Sequence, residues 1–316
     1  MKSAVVIPAH NRKATTVACV RALVADRVPE WARVVVVDDG SADGTSEAVA
    51  AALPGVTIIR GPGDWWWAGA IARGMEAALA GGAERIVWLN DDTRPMPGTL
   101  ARLCEIAARR NAIVGGVCVL PGTSEVVYGG HRQRGFGFDL YPLRPGRVES
   151  CDALSGNLVC VPRAVVDRIG LPDARRLPHA LADLDYTLHA RSRGIPILLA
   201  HDALAEASPN TWENHASWLC SELPISEIWR SLWRKRSYAH LPSQWRFFVR
   251  HHGWRGAVHV SWLVLKRVPI TLLRCTTTLA WRRKRWGHRS RAWQEECRLR
   301  GALASPPPEA GRTEKR

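Results

Sequence analysis

Four short runs of mostly apolar residues constrain this chain more than any other feature. They are "SAVVIPAHN" (3–11), "ARVVVVDDGSADGT" (32–45), "VTIIRG" (56–61) and "RIVWLNDD" (85–92). Each ends in polar residues, and each is followed by a stretch with helical spacing. Strands that are apolar on both sides need cover on both faces, which predicts a mostly parallel sheet between helices. The predicted helices are "KATTVACVRALVA", "TSEAVAAAL" with Thr45 as a cap, "GAIARGMEAALAGG" closed by Gly81 and Gly82, and "PGTLARLCEIAARR". The fold class is therefore α/β. Sheets of this kind bind ligands beyond the carboxyl ends of their strands. Three polar clusters fall there: "PAHN", "DDGSADGT" and "NDD".

After residue 112 the pattern changes. "AIVGGVCVL" reads as a strand, and a loop-rich segment then runs to about Glu149. "CDALSGNLVCVPRAVVDRIG" predicts a strand and a helix, "HALADLDYTLHARSRG" a helix ending at Gly194, and "IPILLA" one more strand. With 316 residues, the chain can bury a full core. Its eight cysteines contain no CxxC pair, and several sit in apolar runs, which predicts buried free thiols in a reducing compartment. "MKSAVVIPAHNR" has too short an apolar run for a signal peptide. "AVHVSWLVLKRVPITLLRC" is broken by Lys266, Arg267 and Pro269, so no spanning helix is predicted.

Asp91 and Asp92 stand side by side where an apolar strand ends. Two adjacent anions repel and raise the cost of ionising each other. No thiolate or imidazole lies near them in sequence. Oxygen ligands of this kind suit a hard divalent ion, Mg²⁺ or Mn²⁺, that shares its remaining positions with water and phosphate.

The segments "VVIPAHNR", "VVVDDGSADGT", "DWWWAGAIARGMEAAL", "VWLNDDT", "SGNLVCVPR" and "HALADLDYTLHARSRGIPILLA" span roughly residues 3–200. In this order and at this spacing they resemble the family-2 glycosyltransferases of the GT-A fold, a bacterial polysaccharide type. The resemblance implies a Rossmann-like, mostly parallel sheet and an inverting transfer of sugar from a nucleoside-diphosphate donor, UDP- or dTDP-linked. It implies a catalytic domain over 1–223, with a nucleotide-sugar half at 1–112 and an acceptor half at 113–223.

Residue roles follow from the same resemblance. Pro8, His10 and Asn11, with Asp38 and Asp39, hold the nucleoside. "NDD" stands at the family's DXD-type position, so Asp92 ligates the metal and Asp91 contacts sugar or ribose. Trp66, Trp67 and Gly69 lie beside the donor, and Arg73 is a candidate partner for its phosphates. Of Trp65, Trp66 and Trp67, one or two are expected to be buried and one to face the cleft. Gly156 and Asn157 line the acceptor side. Asp183 is the general base, with Asp185 near it. Ala182 stands where many relatives have Glu, and His189 where many have Arg. His201 is a candidate further metal ligand, with Glu206 and His215 nearby in sequence. Asn210 and Trp212 shape the acceptor entrance.

The charge is lopsided. Residues 229–316 carry 21 Lys and Arg against 4 Asp and Glu, and 8 of the 15 tryptophans. A basic, Trp-rich, mainly helical extension is predicted over 224–303, and a disordered tail over 304–316. Basic helices with Trp suit an anionic membrane surface, with the rings at the headgroup level and the cations on anionic lipid. A helical cap packed on the catalytic domain with a solvated basic face is the other reading; the resemblance favours the membrane surface, since relatives often act on lipid-linked acceptors. This places the protein in the cytoplasm, peripheral to the inner face of the cytoplasmic membrane. No nucleic-acid partner is expected, since no binding motif for one appears. A nucleotidyltransferase is the enzymatic alternative, but "PAHNRKA" lacks the Gly-rich loop that class carries after its first strand. A non-catalytic sugar-nucleotide or nucleic-acid binding protein is the other alternative. Retention of Asp92 and Asp183 disfavours it.

Overall fold

The computed structural model describes residues 2–208, 219–220 and 222–286. The first half runs β1 (Ser3–Ala9), α1 (Lys13–Ala25), β2 (Ala32–Asp38), α2 (Thr45–Ala52), β3 (Thr57–Arg60), α3 (Trp66–Ala80), β4 (Arg85–Leu89), β5 (Thr93–Pro95) and α4 (Thr99–Arg110). There follow β6 (Ile113–Val119), β7 (Val126–Tyr128), β8 (Gly130–Arg134), β9 (Gly137–Leu140), β10 (Val148–Ser150), β11 (Ala153–Leu154), β12 (Leu158–Pro162), α5 (Arg163–Ile169), α6 (Ala182–Ser192) and β13 (Ile197–Ala207). The C-terminal helices are α7 (Ile225–Arg230), α8 (Leu241–His252), α9 (Trp254–Leu265), α10 (Arg267–Thr276) and α11 (Leu279–Trp286).

The main sheet has the order β10-β13-β6-β12-β4-β1-β2-β3. β1 lies parallel to β2 and β4, β2 to β3, and β6 to β13. Successive side chains of a strand point to opposite faces. Val5 and Ile7 accordingly join a core with Leu23, Val36 and Leu103, while Val6 joins a second core with Val37, Ile71 and Met75. Gly74 lets α3 lie close on the sheet: a Cβ there would stand 2.2 Å from Val6 Cγ1. The predicted α/β sheet, covered on both faces, is the observed one.

One departure from parallel order positions the site. β12 is antiparallel to β4, with Leu158 opposite Leu89. The "SGN" turn that precedes β12 therefore meets the "NDD" turn that follows β4. The segment read as loop-rich up to Glu149 contains short antiparallel strands. β8 pairs with β9 and β11 in a separate three-stranded sheet, and β7 and β10 edge the main one. These strands are three to five residues long and partly exposed, so they are too short to show the longer apolar runs that mark the buried ones. β13 runs past "IPILLA" to Ala207, because buried Ala203, Ala205 and Ala207 alternate with the less buried Asp202, Leu204 and Glu206.

The chain forms two compact units, Met1–Pro209 with Pro242–Ala257, and Asn210–Leu241 with Val258–Arg316. The first takes in most of α8, which the sequence assigned to the extension. Inside it, Phe247 meets Phe138 at 6.1 Å and Phe248 meets Phe136 at 6.0 Å between ring centroids. In the second unit, Trp229 Nε1 donates to Thr271 Oγ1 at 3.1 Å, and buried Arg282 donates from Nε to the Leu219 carbonyl at 2.9 Å. Where the sequence predicted no spanning helix, the run Trp254–Thr276 is long and apolar enough to cross a membrane by length and composition, since Lys266, Arg267 and Pro269 do not end the helical run.

Candidate active site

The first two strand-end loops are stitched together. Asn11 takes the left-handed conformation, with φ 50°. Its N–H donates to Ser41 Oγ at 2.8 Å, and its Oδ1 accepts the Ala42 N–H at 2.8 Å. His10 Nδ1 lies 2.6 Å from the Asp39 carbonyl. Asp38 accepts the Ser41 N–H at 3.0 Å and the Ser46 hydroxyl. Asp39 accepts the N–H groups of Gly63 and Trp66 at 2.8 and 2.9 Å. Both aspartates are buried, so their contacts organise the loops around exposed His10 and Asn11 and half-buried Pro8.

At the end of β4 the two adjacent carboxylates share one cation. Arg12 donates from Nη1 to Asp91 Oδ1 and from Nη2 to Asp92 Oδ2, each at 3.0 Å. Asp91 is 4% exposed, and its Oδ2 accepts the Thr16 hydroxyl at 3.2 Å. Burial pushes its pKa up to about 6; the Asp92 charge adds to this and Arg12 opposes it. Asp92 differs: its Oδ1 is buried with no hydrogen-bond partner. A buried orphan oxygen on an acidic strand end is costly unless something fills its lone pairs. Among the described residues no cluster of three His, Cys, Asp or Glu stands ready to hold a metal. One carboxylate oxygen, with the rest of the shell left to phosphate and water, fits Mg²⁺ or Mn²⁺.

Trp67 joins this edge to the second carboxylate centre. Its Nε1 donates to Asn90 Oδ1 at 2.8 Å. The Asn90 N–H donates to the Asn157 carbonyl at 3.0 Å. The Trp67 ring lies over Gly156, where a Cβ would come within 2.4 Å of Cζ2. The Gly156 N–H in turn donates to Asp183 Oδ2 at 2.8 Å, and the Leu184 N–H to Asp183 Oδ1 at 2.9 Å. Asp183 sits in the first turn of α6 just after Leu181, which is left-handed at φ 68°. Desolvation raises its pKa, opposed by these two N–H groups.

The three consecutive tryptophans are all half-buried. Trp66 takes a positive φ of 57° and meets His179 edge-on at 6.1 Å. The Ala68 N–H donates to the Pro178 carbonyl at 2.9 Å, tying the start of α3 to the loop before α6. Gly69 approaches Trp65 closely.

Other sequence candidates stand apart from this set. Arg73 is exposed, pairs with Glu76 at 3.0 Å and lies 5.5 Å over the Trp65 ring. His201 is buried in β13, with Nε2 2.9 Å from Glu149 Oε1 and Nδ1 accepting the Arg144 N–H at 3.1 Å. Both its ring nitrogens are engaged away from Asp92. Asp185 is bound by Arg250 and His251 of α8. Trp212, Asn210 and His215 lie outside the described residues. Sequence reasoning passed over Arg12, although a lone Arg directly after "PAHN", facing two acids across the sheet edge, was the available signal.

Residues 4–156 match the family model described as glycosyl transferase family 2. Among curated proteins no sequence matches. Two solved structures are similar in fold. The crystal structure of GalNAc-T7 with UDP, GalNAc and Mn²⁺ is 18% identical at a TM-score of 0.54, over 65% of this chain and 43% of that one. This chain thus spans less than half of that relative. The mannosyltransferase PcManGT from Pyrobaculum calidifontis, in complex with GDP-Man and Mn²⁺, is 16% identical at a TM-score of 0.50, over 97% of this chain and 81% of that one. The fold is the GT-A arrangement the sequence implied, followed by C-terminal helices, and the family-2 resemblance holds over residues 4–156.

Proposed function

We propose that the protein is an inverting glycosyltransferase, moving a hexosyl or rhamnosyl group from a UDP- or dTDP-sugar to a hydroxyl of a growing, lipid-linked cell-surface glycan. The observation that carries this reading is the bridge made by Trp67. One side chain contacts the "NDD" turn and covers the glycine whose N–H holds Asp183, so the two carboxylate centres share one wall. Both structural relatives were captured with Mn²⁺ and a nucleotide or nucleotide sugar.

Each residue has a defined part. Exposed His10 and Asn11, with Pro8, form the loop edge that meets the nucleoside, and Asp38 and Asp39 keep that edge in shape. Asp92 Oδ1 is the protein ligand for Mg²⁺ or Mn²⁺, while Arg12 neutralises Asp91 and the other oxygen of Asp92. A metal held there supplies Lewis-acid stabilisation of the leaving diphosphate. Asp183 takes the proton of the acceptor hydroxyl. The freed oxygen bonds to the anomeric carbon as the bond from that carbon to phosphate oxygen breaks, and the nucleoside diphosphate departs. A single displacement of this kind inverts configuration. A carboxylate has about four acceptor sites, so two backbone N–H bonds leave Asp183 capacity for a substrate hydroxyl. Its raised pKa makes it a better base than an ordinary aspartate.

The C-terminal helices supply the contact with an anionic membrane surface. Val258, Trp262, Leu265 and Leu272, all in the second unit, recur at helical spacing along α9 and α10, with Trp262 and Leu272 each 62% exposed. Exposed apolar side chains in such number, beside a strong basic excess, suit a helix lying in a headgroup layer at the cytoplasmic face. Thermal-shift screening of UDP-, dTDP- and GDP-sugars with and without Mn²⁺ tests the donor class. Stabilisation by one nucleotide sugar, larger with Mn²⁺, is the expected result; no shift with any of them would count against the reading.

A further inference from the structure

Asp185 lies two residues after Asp183 and is 3% exposed. A carboxylate so placed needs partners. Its partners come from α8, distant in sequence. Arg250 Nη1 donates to Oδ2 at 2.7 Å, and His251 Nε2 lies 2.8 Å from Oδ1. α8 is itself anchored elsewhere in the same unit. Phe247 and Phe248 are buried against Phe138 and Phe136 of the β8–β9 hairpin, and His252 Nε2 lies 3.2 Å from Gln133 Nε2. One short helix thus grips both the first turn of α6 and the hairpin beside it.

We infer that Asp185, Arg250 and His251 form a positioning clamp, which holds the first turn of α6 so that Asp183 stays in reach of the Gly156 N–H and of the reacting hydroxyl. Asp185 then acts through Asp183 and touches no substrate. The inference rests on Asp183 being the base. The turn it steadies is one that the chain does not hold unaided. Leu181 enters α6 in a left-handed conformation that ordinary side chains avoid. No side chain caps the helix start. The partners of Asp185 on α8 supply the restraint. A base displaced by 1 Å can lose roughly 100-fold in rate, so a clamp on the turn that carries it has a catalytic consequence.

The full chain tests this with Arg250→Gln and Arg250→Lys beside wild type. Three quantities are read: amide hydrogen exchange, binding of UDP and dTDP with Mn²⁺, and turnover of the UDP- and dTDP-sugars. With the clamp open, exchange in residues 155–157 and 182–188 should rise roughly tenfold or more, as a locally loosened turn requires. The kcat should fall about 100-fold at unchanged donor KM, and Arg250→Lys should recover part of it. Wild-type exchange and kcat in folded Arg250→Gln would overturn the clamp. A raised donor KM at unchanged kcat would also overturn it, by making these residues donor ligands. Should Arg250→Gln fail to fold, Asp185→Asn, which keeps the side-chain shape, is read in the same way. If Asp183→Asn keeps its turnover, the base assignment fails, and the exchange measurement still decides the clamp.

Discussion

The Gly156 N–H donates to Asp183 Oδ2 at 2.8 Å, and the same glycine has no room for a side chain, since a Cβ would stand 2.4 Å from Trp67 Cζ2 and 3.0 Å from Asp183 Cβ. A contact that tight cannot be absorbed without moving the indole or the carboxylate. Gly156→Ala should therefore lose about 1–3 kcal/mol of stability through overpacking. Turnover per folded molecule should fall as well, since either movement spoils the bridge. Denaturant midpoints with single-turnover rates check both. Wild-type rates in the alanine variant would separate the bridge from catalysis.

Asp183→Asn should leave nucleotide binding intact and lower kcat by about 100-fold to 10,000-fold, the range for loss of a positioned base. Desolvation raises the Asp183 pKa, so the folded state holds its proton more tightly than the unfolded chain does. This group therefore takes stability away as pH rises from the ordinary aspartate value of about 3.9 through the folded value. The ionised, working form exists above the folded value. Wild-type turnover should fall with decreasing pH at a pH above that ordinary value. Any residual turnover of the variant should lack this limb. A pH–rate profile of the two proteins is the check.

His201 serves Glu149 and the Arg144 backbone rather than the acidic strand end. His201→Leu should leave the Arg144 N–H without its acceptor and cost about 1 kcal/mol. The Mn²⁺ dependence of nucleotide binding should not change. Calorimetry beside thermal unfolding separates the two effects, and a lost Mn²⁺ dependence would restore His201 as a ligand.

Replacing Trp262 and Leu272 together by Glu should release the protein from vesicles containing phosphatidylglycerol. These side chains are largely exposed, so the folded catalytic unit should keep its nucleotide affinity. Partitioning of the wild type should weaken with salt, because part of the attraction is electrostatic. Sedimentation with such vesicles reads this, and unchanged binding of the double variant would remove these helices as the lipid contact.

What could be read in advance follows how local each signal is. The buried strands announce themselves as valine-rich runs, and three strand-end clusters mark the edge where Asp92 and Asn11 now stand. Asp183 carries a local signature in "LADLDY". Partnerships across long sequence separations were not legible. Arg12 and Asp91 are 79 residues apart, and Arg250 and Asp185 are 65 apart. Arg250 and His251 look like part of a solvated basic run until α8 folds back on α6. The weak strands β7 to β10 were not legible because each is only three to five residues long and partly exposed. For the same reason, His201 looked free in sequence, although the fold encloses it.

Calorimetric titration of UDP, dTDP and GDP into wild type and Asp92→Ala, each with and without Mn²⁺, reaches furthest. One nucleoside diphosphate should bind the wild type more tightly with Mn²⁺, and that gain should vanish in the variant while weak metal-free binding persists. An equal Mn²⁺ gain in Asp92→Ala, or no nucleotide binding by the wild type, would contradict the metal-bridged donor site proposed for this strand end.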